Sequence, residues 1–81
     1  MTTNDAVAKR ISKLLKEKGM TLYRLEQKSG VYHGVMDRII KGKNNTISLS
    51  TLYKISIGFG MSIIEFLDDD SIFCVDKLDL E

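Results

Sequence analysis

Apolar residues recur along this chain at spacings of three and four, interrupted by glycines and short polar runs. Between Asp5 and Lys18 they fall at Val7, Ile11, Leu14 and Leu15, which a 3.6-residue period gathers into one stripe. Lys9, Arg10, Lys13 and Lys16 take the opposite face, so the segment predicts an amphipathic helix. Asn4 or Asp5 can cap its start by accepting a backbone N–H, and Gly19 is a suitable stop. Thr21 caps a shorter helix through Lys28, with Leu22 and Leu25 inward and Ser29-Gly30 ending it. Only Val31 and Tyr32 separate it from a third pattern, Val35, Met36, Ile39 and Ile40, which runs to about Lys41 and stops at Gly42. Two short helices joined by a Gly-containing turn predict a helix-turn-helix.

A polar segment, Lys43 to Ser48, follows. Ser48 or Ser50 can cap a fourth helix carrying Leu49, Leu52, Ile55, Ile57 and Phe59, ended near Gly58 or Gly60. Ser62 caps a fifth, with Ile63, Ile64, Phe66 and Leu67 apolar and Glu65 in the first turn, where it complements the helix dipole. Beyond it, Ile72-Phe73-Cys74-Val75 is β-branched and aromatic, flanked by aspartates, and predicts a short strand or extended segment. The expected fold is therefore all-α, with five helices in one domain over residues 1–70 and a tail over 71–81 that packs on the bundle, pairs with a second subunit or frays.

Length and composition narrow the function. Eighty-one residues leave room for one small core, which excludes an interdomain cleft. The chain is 43% hydrophobic and 28% charged, an ordinary balance for a folded domain. It lacks a membrane-length apolar run and the basic-then-apolar order of a secretory signal, and its single Cys cannot form an internal disulfide, so the expected location is cytoplasmic. The net charge of +1 conceals a segregation. Residues 1–48 hold ten Lys or Arg against four Asp or Glu, a net +6, and residues 49–81 hold two against seven, a net −5. A polyanion partner for the first half fits that polarity.

The run from Thr21 to Leu52 resembles the Cro-type, lambda-repressor-like helix-turn-helix family (the XRE family) of phage repressors and bacterial regulators. The resemblance covers about residues 6–69. It rests on Thr21 and Leu25, the Ser29-Gly30-Val31 turn, Arg38-Ile39, the Lys41-Gly42-Lys43 exit, Leu49 and Leu52, and Gly60-Met61-Ser62. It implies that the third helix, residues 32–41, enters the major groove of double-stranded DNA and that its N-terminal side chains reach base edges. The base-reading candidates are then Tyr32, His33, Gly34, Asp37 and Arg38. Arg38 has the fork for guanine O6 and N7, and His33 can donate to a purine N7. Thr21, Lys41, Lys43, Asn44 and Asn45 fall on segments that line the phosphate backbone in the family. Arg24 and Lys28 are weaker candidates.

Three residues depart from the family pattern. Glu26 replaces the usual Ala of the second helix and must turn outward, toward Lys28 or His33. Leu22 replaces a phosphate-binding Gln, and Gly34 offers at most a close backbone approach. These departures favour an alternative function, a protein-interaction module of antitoxin or adaptor type with weak or no DNA binding. The leading expectation is a small transcriptional repressor acting as a homodimer on half-sites about 34 Å apart, because one module covers too little DNA alone. The apolar residues Ile64, Phe66, Leu67, Ile72 and Phe73 are the candidates for the dimer contact. Tyr23 and Tyr53 read as core rim, Cys74 as a small buried hydrophobe, and Asp68-Asp69-Asp70 as a solvated helix end. No nucleophile with its base, phosphate-binding loop or paired metal ligands is visible, so no enzyme, cofactor, metal or small-molecule effector is expected.

Overall fold

Helix α1 begins two residues before the apolar stripe would place it, over Thr3–Lys18. Thr2 is its cap: the Thr2 hydroxyl accepts from the Asp5 N–H, and the Asp5 carboxylate accepts from the Thr2 N–H, both at 3.1 Å. This reciprocal box satisfies two N–H groups at once, which neither Asn4 nor Asp5 as a lone cap could do. The two Thr2 hydrogen bonds also hold the Asp5 carboxyl below its ordinary pKa. The computed structural model describes residues 1–43 and 46–79, with α2 over Leu22–Ser29, α3 over His33–Ile40, α4 over Leu49–Gly58 and α5 over Ile63–Leu67. Thr21, Ser48 and Ser62 cap α2, α4 and α5 through their hydroxyls, as the sequence predicts. Among the described residues the fold is all-α.

Helix α3 packs on α1 and α2, while α4 packs on α2 and α5. Val7, Ile11, Leu14, Leu25, Met36, Ile39, Ile55 and Phe66 meet in one buried cluster, the main apolar stabilisation of so small a domain. The α2–α4 contact is the tightest. A Cβ placed on Gly58 would lie 2.9 Å from Ser29 Cβ, 3.0 Å from Leu25 Cδ1 and 3.2 Å from Ser29 Cα. Gly58 is thus a packing residue; the left-handed turn after α4 belongs to Gly60 at φ 73°.

Arg10 corrects the amphipathic reading of α1. Instead of joining the solvated basic face it is 7% exposed. Its Nε donates to the Phe66 carbonyl at 2.7 Å, Nη2 to the Glu65 carbonyl at 3.0 Å, and Nη1 lies 3.2 Å from Asp69 Oδ2. The guanidinium also sits over the Phe66 ring, 5.9 Å from its centroid. A cation is favourable there because the carbonyl-rich C-terminal end of α5 carries partial negative charge, and the Glu65 carbonyl takes Arg10 in addition to the Asp68 N–H. Asp69, read as part of a solvated acidic end, is nearly buried beneath this guanidinium and the Lys13 ammonium at 2.6 Å. The Lys13 hydrogen bond, with those from the Ser71 hydroxyl and N–H, holds its carboxyl well below the usual range.

That depression has a consequence for acid stability. The native state binds fewer protons than the unfolded chain, so Asp69's contribution is complete above the unfolded carboxyl pKa near 4 and is lost as pH falls toward the lower native value. Thermal melts of the wild type should therefore lose stability steeply below about pH 4. In an Asp69→Asn variant the acid limb should flatten; an unchanged limb would show that Asp69 does not govern it.

The tail departs from the expected strand. Residues 70–72 form a turn, Val75–Lys77 a 3-10 turn, and among the described residues one parallel bridge joins Thr2 to Asp79. Ile72 is 1% exposed, and Phe73 tilts against Phe66 at 6.4 Å, while Phe59 stacks on the same ring at 6.4 Å. Hydrogen bonds from the Ile72 and Phe73 amides to the Asp69 carbonyl fold the chain back. Ile72 and Phe73 thus pack into the domain's own core.

Candidate nucleic-acid interface

The turn between α2 and α3 sets the height at which α3 stands above the bundle. Gly30 adopts φ 75°, and its N–H closes α2 on the Glu26 carbonyl. Ser29 Oγ then accepts from the Val31 N–H at 3.2 Å. Val31 is buried, so the chain is pinned just before it rises into Tyr32 and α3. Met36 and Ile39 anchor the inner face of the helix. Its outer face carries Tyr32, His33, Gly34 and Arg38, all exposed, with Tyr32 at 83%.

The first turn of α3 has no side-chain cap, so its leading N–H groups are left to water or a ligand. At the start of α2 the Thr21 hydroxyl accepts from the Arg24 N–H at 3.1 Å, which leaves the hydroxyl proton for an outside acceptor. Gly34 faces open space: a Cβ placed there meets nothing within 4 Å. Packing within the subunit does not require glycine at this position. Arg38 Nε lies 3.4 Å from the Gly34 carbonyl, a loose contact that leaves the guanidinium free to reach outward.

Asp37 and Lys41 form an i,i+4 pair at 3.0 Å on the flank of the helix. The Lys41 hydrogen bond holds the Asp37 carboxyl below its ordinary value, but an exposed pair of this kind contributes little and yields readily to a competing anion. Lys43 is exposed at the helix exit. The Asn44 and Asn45 candidates lie outside the described residues. Glu26, expected to turn outward toward Lys28 or His33, is instead largely covered, with its side chain 11% exposed, and of the two anticipated partners it takes His33: Glu26 Oε2 is 2.9 Å from His33 Nδ1.

Residues 10–70 match the family model for the Cro/C1-type HTH DNA-binding domain. The chain belongs to that family. No curated protein and no solved structure matches it. A domain of this family binds DNA, so the partner is double-stranded DNA. No helix among the described residues is long and apolar enough to cross a membrane.

The candidate sites separate unevenly. Tyr32, His33, Gly34 and Arg38 share one exposed face, with Asp37 half-buried on its flank and Lys41 and Lys43 at its end. Among the dimer candidates, Phe66 and Ile72 are corrected: at 0% and 1% exposure they fill this subunit's core and have no surface to offer a partner. Phe73 is partly buried against the same core. Ile64 and Leu67 remain exposed.

Sequence reading missed a second surface. Leu49 and Ile57, read without distinction among the apolar residues of α4, are exposed, and so are Tyr23 and Tyr53, expected at the core rim. Leu49, Tyr53 and Ile57 recur every fourth residue and form a second apolar stripe beside the buried one of Ile55 and Phe59. That four-residue spacing was the available signal. A shallow depression lined by Leu49, Ser50, Tyr53 and Ile63 joins the stripe to α5.

Proposed function

We propose that the protein is a small transcriptional repressor that binds operator DNA as a homodimer, with α3 in the major groove. The observation that carries this reading is the exposed outer face of α3, uncapped at its N-terminus and bearing Arg38, held within the chain only by a long 3.4 Å hydrogen bond to the Gly34 carbonyl. Arg38 makes the bidentate guanine contact. Tyr32 packs on a thymine methyl or bonds a phosphate, and His33 reads a base edge. Asp37 restrains Lys41 until a phosphate displaces it. The Thr21 hydroxyl, Lys41 and Lys43 hold the backbone on either side of the groove. Asn44 and Asn45 belong to the same phosphate set by the family resemblance.

Gly34 fits this role physically. Gly inside a helix costs stability relative to Ala, and here no packing within the subunit accounts for it. A close approach by the DNA does. Gly34→Ala should raise the stability of the free domain by about 0.4–1 kcal/mol and weaken its binding to operator duplex; a variant that gains stability with unchanged affinity would remove Gly34 from the interface.

The homodimer forms through the α4–α5 face, where Leu49, Tyr53, Ile57, Ile64 and Leu67 are exposed. These side chains offer on the order of 500 Å² per subunit, so a two-fold pair buries about 1,000 Å², at the lower bound for a specific interface. A pair of this size is weak alone and is completed on DNA. Sedimentation should show a concentration-dependent dimer that Tyr53→Lys abolishes. A strict monomer with one-to-one DNA binding would rule the dimer out.

Mobility shifts at two salt concentrations test the function itself. Affinity for duplex should fall log-linearly with salt, as counterion release requires. Arg38→Ala should cost about 1–3 kcal/mol on the preferred duplex and relax base preference. Lys43→Ala should weaken all duplexes alike and flatten the salt slope by about one unit. No binding at low salt would overturn the repressor reading in favour of a protein-interaction module.

A further inference from the structure

Glu26 and His33 form a polar side-chain pair between α2 and the outer face of α3. Glu26 is an internal strut: its side chain is 11% exposed, and its Oε2 lies 2.9 Å from His33 Nδ1. The His33 ring is the reverse, 76% exposed at the first position of α3. One ring nitrogen is therefore committed inward to a carboxylate, and Nε2 is left outward on the DNA-binding side.

We propose that Glu26 is a specificity-determining positioning residue, which fixes Nδ1 of His33 as a donor and so makes Nε2 a base reader whose polarity reverses with pH. The inference rests on the DNA-binding reading above. Its chemistry follows from the imidazole's inventory of donors and acceptors. When the ring is charged, Nδ1–H donates to Glu26 and Nε2–H donates outward, matching guanine N7 or O6. When the ring loses its proton, the carboxylate keeps the hydrogen on Nδ1, because it can only accept. Nε2 then carries a lone pair and matches the amino group of adenine N6 or cytosine N4. Without Glu26 the neutral ring is free to place its hydrogen on either nitrogen, so the alkaline half of the reversal loses its definition.

The charged groups around the ring favour the cationic form. The Glu26 hydrogen bond and charge, from α2, raise the His33 pKa above its ordinary value, and Asp37 on α3 adds to this while Lys41 opposes it. Burial works the other way, but the ring is largely exposed. The donor form therefore persists to higher pH than for a free histidine. The exchange of polarity follows as pH rises through the raised value.

Selection from a random duplex pool at pH 5.5 and at pH 8.5, repeated with Glu26→Gln and His33→Ala, tests the proposal. One position of the preferred site should favour guanine at the lower pH and adenine or cytosine at the higher, with about a tenfold change in relative affinity. His33→Ala should erase that preference at both values. Glu26→Gln removes the charge, so its switch should move to lower pH and the alkaline preference should blur. The free proteins provide an independent readout: the His33 ring resonances should titrate above the ordinary histidine value in the wild type and lower in Glu26→Gln. If Glu26 is only a brace between helices, Glu26→Gln will lower affinity equally at both pH values and leave base preference untouched, which overturns the proposal. Duplex binding with a pH-independent preference overturns this inference alone. Absence of duplex binding at both pH values overturns the DNA reading as well.

Discussion

Replacing Arg10 with alanine should destabilise the domain by about 3–5 kcal/mol, the range for breaking one partner out of a buried ion pair. Three losses combine. The carbonyls of Glu65 and Phe66 lose their charged donors. Asp69, nearly buried, keeps Lys13 and the Ser71 groups but loses the guanidinium at 3.2 Å. The Phe66 ring loses the cation over its face. Helix α5 spans only Ile63–Leu67, too short to hold itself by its own hydrogen bonds. Its loss would also release the Phe59–Phe66–Phe73 stack. Total stabilities of small domains are of this order, so the variant should be largely unfolded at room temperature by circular dichroism. Arg10→Lys should rescue little, because an ammonium cannot donate in three directions with the guanidinium's geometry. A loss below about 1 kcal/mol would mean that the network behaves as an exposed one.

Gly58→Val should cost about 2–3 kcal/mol, and Gly58→Ala about 1–2, by forcing α4 away from α2, the helix that leads into the turn before α3. The neighbour at 3.2 Å is the Ser29 Cα, backbone that cannot rotate away. Ser29 also holds the Val31 N–H, so displacement of α2 propagates to the start of α3. DNA affinity should therefore fall with stability. The sign separates packing from propensity: Gly to Ala in a helix ordinarily stabilises, as expected at the open Gly34. Urea midpoints of Gly58→Ala and Gly34→Ala should move in opposite directions, and a shift of both toward higher urea would refute the close α2–α4 approach.

The helices were legible in the sequence because their signals are local. Caps at Thr21, Ser48 and Ser62 and stops at Gly19 and Gly30 act within a few residues of themselves, and the apolar stripes of α1 to α3 are regular. The outward face of α3 was legible for the same reason: Ser29-Gly30-Val31 specifies the turn, and the turn specifies which face of α3 is exposed. What failed depends on contacts distant in sequence. Arg10 reads as one more cation until Glu65, Phe66 and Asp69 are brought beside it from 55 or more residues away. Ile72 and Phe73 look like a strand locally, but Ile72 is buried and Phe73 packs on the core against the distant Phe66 ring. Leu49 and Ile57 look buried because hydrophobicity alone does not say which of two adjacent stripes faces in.

The central claim, that the outer face of α3 meets duplex DNA, is tested most directly by amide chemical-shift changes in the labelled protein on titration with a selected duplex. The largest changes should fall on Tyr32 to Arg38, with a second group at Thr21 to Arg24 and at Lys41 to Lys43. Changes confined to α4 and α5, with α3 silent at saturating duplex, would contradict the account.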